Sequence, residues 1–100
     1  MLTGVLVNGA DVVVRGHDHF GTPFSEKTQV RNHCQHRFSL ALPRQISQGA
    51  SLVIEFQPEP RRTVWATVAV IAVRSDVEGW HTIEVQAPPS GTSVASEFGL

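Results

Sequence analysis

Histidine and cysteine side chains are concentrated in two short stretches of this chain. His17 and His19 are separated by one residue, and His33 and His36 flank Cys34 in the pattern H-C-x-H. Imidazole nitrogen and thiolate sulfur are ligands of zinc and similar metals, and a neighbouring imidazolium lowers the pKa of a thiol. The second stretch therefore indicates a weak candidate metal site or a reactive thiol, formed by His33, Cys34 and His36.

The sequence offers these residues few partners. Structural zinc takes four protein ligands, and the two stretches should lie at opposite ends of the strand that connects them. No carboxylate near Cys34 in the sequence is placed to orient a base. The chain also contains no nucleotide-binding glycine loop, zinc-protease motif or serine-hydrolase elbow. We therefore expect a protein that is not an enzyme and has no cofactor or metal.

Charge and hydropathy exclude several classes of partner. Eight basic and nine acidic residues give a formal net charge of -1, which argues against a nucleic-acid polymer as the partner. Residues 68–73 form the longest apolar run, far shorter than the roughly twenty residues of a membrane span. No basic segment typical of a signal peptide precedes residues 2–5. One cysteine permits no internal disulfide and favours the cytoplasm.

Short alternating segments must position these side chains. The composition is rich in valine, glycine and proline and lacks tyrosine, which favours strands joined by tight turns. Alternation of apolar and polar residues predicts six strands, over residues 11–16, 24–32, 37–42, 52–57, 62–74 and 80–86. We expect one domain over residues 1–100, with a barrel at about 11–87 and a tail at 88–100.

The strand predicted at residues 62–74 is apolar on both faces. Val64, Ala66, Val68, Val70 and Ala72 share one face, and the other carries Trp65, Ile71 and Val73, with Trp80 across the next turn. Exposed apolar stripes of this kind mark protein interfaces. The stripe is either a surface for a protein partner or a second copy, or a face covered by the chain's own tail.

The order of these segments resembles the PilZ domain family, small six-stranded antiparallel β-barrels that include bacterial receptors for cyclic di-GMP. The similar patterns are G-x-D-x-x-G-x-x-F-x-E-x-T over residues 16–28, G-x-x-L-x-I over 49–54 and G-x-x-x-I-x-V over 79–85. The resemblance implies an all-β, six-stranded antiparallel barrel with a role in bacterial signalling.

The ligand motifs of that family are altered in this chain. The family's D/N-x-S-x-x-G motif corresponds to residues 32–37, which keep Asn32 but carry Cys34 in place of serine and Arg37 in place of glycine. No arginine precedes the first strand, where the family has R-x-x-x-R. The resemblance therefore implies a non-catalytic signalling or adaptor module that acts through a protein partner.

Two alternatives remain open. One is a cyclic di-GMP receptor with a substitute site, because arginine suits bidentate contacts with phosphate. The other is the metal or thiol site around Cys34. The residues of the substitute site would be Arg15, Arg31, Asn32, Cys34 and Arg37.

Overall fold

Alternating apolar side chains form strands along most of the chain. The computed structural model describes residues 8–76 and 79–87, and within them there are seven strands. They are β1 (Asp11–His17), β2 (Pro23–Gln29), β3 (Arg31–Cys34), β4 (Arg37–Leu42), β5 (Ser51–Glu59), β6 (Arg62–Ser75) and β7 (His81–Gln86). All neighbours pair antiparallel in the order β2-β1-β5-β6-β7-β4-β3. The sheet curls into a half-barrel, which confirms the all-β fold. The predicted tail lies outside the described residues.

The predicted second strand is divided in two by a bend at Val30. Up to that residue the chain follows β1: Val30 donates its N–H to Ala10 O (3.0 Å) and accepts one from Gly9 (2.7 Å). Beyond it β3 leaves β1 and pairs with β4. Asn32 adopts a left-handed conformation there, with φ 53°, which asparagine tolerates better than most residues. The bend raises the strand count from the predicted six to seven.

β6 joins the two halves of the sheet. Its first half, up to Ala69, pairs with β5, and its second half, from Ala69 to Ser75, pairs with β7. A β-bulge between Val70 and Ala72 lies in the second half, and such bulges bend the strand that carries them. The sheet can therefore fold back over its own inner face.

The bulge changes which side chains of β6 face inward. Val64, Ala66, Val68 and Val70 are buried as predicted, but Ala72 is exposed and Val73 packs against the core. The prediction that Ala72 faces inward and Val73 outward is wrong. Successive side chains of a strand point to opposite faces of the sheet. A bulge inserts one extra residue, so every side chain after it points to the face opposite to the one that alternation predicts.

The fully buried side chains of the described residues are all apolar. Alternation correctly predicts the inward residues of β4, β5 and β7, and it predicts the polar outer face of β2. Ile46 is also fully buried although it lies in the loop after β4. The buried residues of these three strands are Phe38, Leu40, Leu42, Leu52, Ile54, Phe56, Ile83 and Val85.

The bulge gives a test of the inward and outward assignments. We expect Val73→Ser to lower the free energy of unfolding by about 1–2 kcal/mol, because it removes partly buried methyl groups. Ala72→Ser should change it by less than about 0.5 kcal/mol, as for other surface substitutions. Urea denaturation followed by tryptophan fluorescence measures both. If Ala72→Ser lowered the free energy of unfolding more than Val73→Ser, the inward and outward alternation of β6 would continue through residue 72 and the assignment of the bulge would be wrong.

Candidate functional site

The β3–β4 hairpin carries four of the five residues predicted to bind a cyclic dinucleotide. Cys34 pairs with Arg37 across a two-residue turn in which Gln35 has φ 56°, and Arg31 pairs with Ser39. All four predicted residues on this hairpin are exposed, namely Arg31, Asn32, Cys34 and Arg37.

Arg15 lies on the other half of the sheet. It pairs with Ser25 of β2 and Val53 of β5, four residues along β1 from the end that is near β3. That separation corresponds to about 14 Å of strand. Its guanidinium forms an ion pair with Glu55, with 3.2 Å between Nη2 and Oε1. The structure therefore does not bring Arg15 together with the hairpin residues.

The predicted metal or thiol residues do not converge either. His33 is half-buried, its ring tilted against Phe38 with 6.2 Å between the centroids, while Cys34 is exposed. The backbone carbonyl of His36 accepts the N–H of Ala87 at 2.7 Å. Within residues 8–76 and 79–87, no three His, Cys, Asp or Glu side chains form a group that could hold a metal ion. The geometry gives the metal alternative no support.

The predicted apolar stripe is split between different parts of the molecule. Trp65 is 37% exposed on the half of β6 that pairs with β5, whereas Trp80 is 48% exposed just before β7. Ile71 is half-buried at the bulge, and Val73 faces the core. Ten residues of β6, about 34 Å of strand, separate Trp65 from the start of the β6–β7 turn at Ser75.

Trp65 lies on an outer face in which the charges compensate each other. Its indole Nε1 donates to Glu55 Oε1 at 3.1 Å, and the same oxygen accepts Arg15. Val13 and Val53, both half-buried, neighbour this pair on β1 and β5. Tryptophan and arginine are both residue types that are enriched among the energetically important residues of protein interfaces. We call Val13, Arg15, Val53, Glu55 and Trp65 the Trp65 face.

A groove adjoins the Trp65 face. It has a volume of about 770 Å³ and is lined by three consecutive residues from each of three strands, 11–13 of β1, 27–29 of β2 and 55–57 of β5. Glu55 belongs both to the groove and to the Trp65 face. The two features thus form one continuous outer surface.

The open side of the half-barrel, between β2 and β4, is held by Arg44. Its Nε donates to Glu26 Oε2 at 2.7 Å, its Nη1 lies 3.4 Å from Asp18 Oδ2, and its guanidinium is 5.3 Å from the centre of the Phe24 ring. Thr28 adds a hydroxyl hydrogen bond of 2.8 Å to the carbonyl of Ala41 on β4. Sequence reasoning missed Arg44, because a single arginine after a proline carries no local signal.

Asp18 organises the turn between β1 and β2. Its Oδ1 accepts the backbone N–H groups of Phe20 (2.9 Å) and Thr22 (3.0 Å). The Thr22 N–H has the largest effect on the pKa of Asp18, which lies below its usual value; burial opposes this shift, and Phe20 and Arg44 add to it. These hydrogen bonds stabilise a turn in which 75% of the surface of Phe20 is exposed.

Asp76 plays a similar part in the turn between β6 and β7. Its N–H donates to Trp80 O at 2.8 Å, and its carboxylate accepts the Thr82 hydroxyl and Arg74 Nε. The Thr82 hydroxyl is the main cause of a lowered pKa at Asp76. Both turns are thus stabilised by an ionised aspartate.

No family model, curated protein or solved structure matches this chain. The resemblance to PilZ domains stays a prediction. Among the residues that the structure describes, no helix has the length and apolar character that crossing a membrane requires.

Removal of the Arg44 side-chain charge tests its role in closing the half-barrel. We expect Arg44→Met to lower the free energy of unfolding by about 1 kcal/mol, since the ion pairs are only partly shielded from water. A double-mutant cycle with Glu26→Gln should give a coupling energy of about 0.5–1 kcal/mol. Urea denaturation of the four proteins provides the measurement, and additive effects would contradict the ion pair.

The lowered pKa of Asp18 predicts a pH dependence of stability. A carboxylate whose pKa is lower in the folded chain contributes stability above its unfolded pKa and loses it as pH falls through the folded value. We therefore expect the wild-type melting temperature to decline below about pH 4. Asp18→Asn, which keeps the oxygen acceptor but not the charge, should decline less steeply. Equal slopes for the two proteins in thermal unfolding at pH 2–7 would refute this assignment.

Proposed function

We propose that this chain is a non-catalytic, PilZ-like binding module of bacterial cytoplasmic signalling, which acts by contact with another protein and not as a cyclic di-GMP receptor. β2 and β3 form one bent strand, and counted in this way the half-barrel has the six strands of that family. This count supports the resemblance that the sequence patterns suggest.

The position of Arg15 carries the proposal. A cyclic dinucleotide has two phosphates and two guanines, so a receptor must gather several donors and a flat cation around one ligand. Here Arg15 is paired with Glu55 where β1 meets β5, four residues along β1 from its end near the hairpin, while Arg31 and Arg37 lie exposed on β3 and β4. The substitute site is therefore incomplete without Arg15.

The Trp65 face supports a protein as the partner. Its exposed charges are already paired through Glu55, so burying them against a partner leaves no isolated charge. Tryptophan and arginine, the residue types enriched at the energetic centre of interfaces, both occur there. A second copy of the chain or a different protein would satisfy this chemistry.

Calorimetric titration with cyclic di-GMP at moderate salt tests the proposal. We expect no saturable heat for the wild-type protein at micromolar ligand, because the arginines are not assembled around one site. The matched control is the double variant Cys34→Ser with Arg37→Gly, which restores the family's motif on the same hairpin. It should also bind weakly, since it still lacks the arginines of R-x-x-x-R.

Micromolar or tighter binding by the wild-type protein would refute the proposal. In that case Arg31→Ala and Arg37→Ala should abolish the heat, and the substitute arginine site would be the function of the hairpin.

A further inference from the structure

The first half of β6 extends past the end of β7. β7 ends at Gln86, which lies opposite Ala69, whereas β6 begins at Arg62. Residues 62–68, about 24 Å of strand, therefore continue beyond that pair. Among the strands that the structure describes, β6 has β5 and β7 as its neighbours. β5 accompanies this segment on one side, and the described part of β7 does not reach it on the other.

Alternate residues of this segment direct their backbone groups to the side that β7 does not reach. Val70 donates its N–H to Ala50 O at 2.9 Å and accepts the N–H of Gly49 at 2.8 Å. Its backbone groups therefore point to the β5 side. Because this direction alternates along an antiparallel strand, the N–H and C=O groups of Thr63 and Thr67 point away from β5.

The sequence of this segment lacks the features that protect an open edge. Residues 63–68 read T-V-W-A-T-V, without a charge or a proline, and the β-bulge of β6 lies after them, between Val70 and Ala72. Natural proteins protect exposed edge strands with charges, prolines or bulges. An uncharged segment of high β-propensity pairs readily with another strand. We therefore expect this edge to be covered in the folded protein.

The tail of the chain, residues 88–100, starts beside this edge. Ala87 follows the last residue of β7 and donates its N–H to His36 O at 2.7 Å, on the side of β4. At this point the chain still runs antiparallel to β6, in the direction of Arg62. Seven extended residues are enough to follow residues 62–68. Tethering at the edge also gives the tail a high effective concentration there, which favours it over a second copy.

We propose that residues 88–93 form an eighth strand along the first half of β6, antiparallel to it and in line with β7. Continuing the register of β6 and β7 gives three new opposite pairs: Pro88 with Thr67, Ser90 with Trp65, and Thr92 with Thr63. The eighth strand covers the edge and widens the outer surface that carries the Trp65 face. The inference goes beyond the proposed function, which assigns no role to the tail.

The two prolines at the start of the tail are compatible with this register. Proline is tolerated in an edge strand where its missing N–H is not needed for the ladder. The carbonyl of Pro88 accepts the N–H of Thr67, and only one donor to β6 is lost. The position of Pro89 directs its backbone away from β6, so its missing N–H removes no hydrogen bond between the two strands.

Hydrogen exchange of the backbone amides in the full chain tests the eighth strand. We expect slow exchange at Thr63 and Thr67, whose N–H groups point away from β5. The amides of Val64 and Val68 donate to β5 and serve as the internal reference. A nuclear Overhauser effect between the α-protons of Val64 and Gly91, which are opposite each other in this register, identifies the tail as the occupant.

Two neighbouring proline substitutions provide a matched pair of variants. In the proposed register the N–H of Thr92 donates to Thr63 O, whereas the N–H of Ser93 points away from β6. We expect Thr92→Pro to accelerate exchange at Thr63 by about tenfold. Ser93→Pro should leave it unchanged within about twofold. Unchanged protection of Val64 in both variants shows that the rest of the sheet is folded.

Four results would overturn the proposal. Fast exchange at Thr63 and Thr67 in the wild-type protein would show that the edge is open. Slow exchange without a contact between Val64 and Gly91 would assign the edge to another occupant. If that contact appears only between chains in a mixture of isotope-labelled and unlabelled protein, the occupant is a second copy. Equal acceleration by the two proline variants would contradict the register.

The eighth strand and the proposed function can fail separately. The exchange measurements report on the edge of β6 alone, and the titration with cyclic di-GMP reports on the arginines of the β3–β4 hairpin and of β1. An open edge therefore leaves the adaptor function standing, and binding of the dinucleotide leaves the eighth strand standing.

Discussion

An antiparallel sheet must cover the unpaired edges of its outermost strands, and this constraint shapes the whole molecule. The unpaired backbone N–H and C=O groups of an exposed edge strand can form hydrogen bonds with strands of other chains. If the same groups are buried without partners, they lower the stability of the fold. Here the chain passes from one outer strand, β2, directly into the other, β3, through the bend at Val30. The open side that remains between β2 and β4 is bridged by side-chain hydrogen bonds of Thr28 to the Ala41 carbonyl and of Arg44 to Glu26.

The two bends that allow this closure also decide which side chains share a surface. The bulge near Ala72 brings Val73 to the core, so Val73 no longer shares a face with Trp65 although both lie on β6. The bend at Val30 likewise separates Arg15 from Arg31. The residues predicted to form one apolar stripe, and those predicted to form one dinucleotide site, therefore lie on different surfaces of the half-barrel. Neither set can contact a single small ligand.

The outer surface of β1, β5 and β6 combines features that suit a binding module. Its charges are paired at Glu55, which accepts both the Arg15 guanidinium and the indole N–H of Trp65, and it adjoins the groove lined by β1, β2 and β5. The fully buried side chains of the described residues, in contrast, are all apolar.

The sequence alone determined the strands and most of their inward faces. Period-two alternation is a local signal, and a strand that buries one face obeys it wherever the ladder is regular, as at Leu40, Leu52 and Ile83. The polar outer side of β2 and the hairpin between β5 and β6 follow from the same local rules.

Only the tertiary structure decided the irregular positions and the outer surface. The bulge that turns Val73 inward, the burial of Ile46 and the closure by Arg44 depend on contacts between distant residues, such as Asp18 and Arg44, which are 26 positions apart. The groove is lined by residues of three strands, which are brought together only by the pairing of the sheet. The alternation of apolar residues shows which face of each strand is buried. Which strands then pack against each other, and which outer side chains become neighbours, depends on the path of the whole sheet.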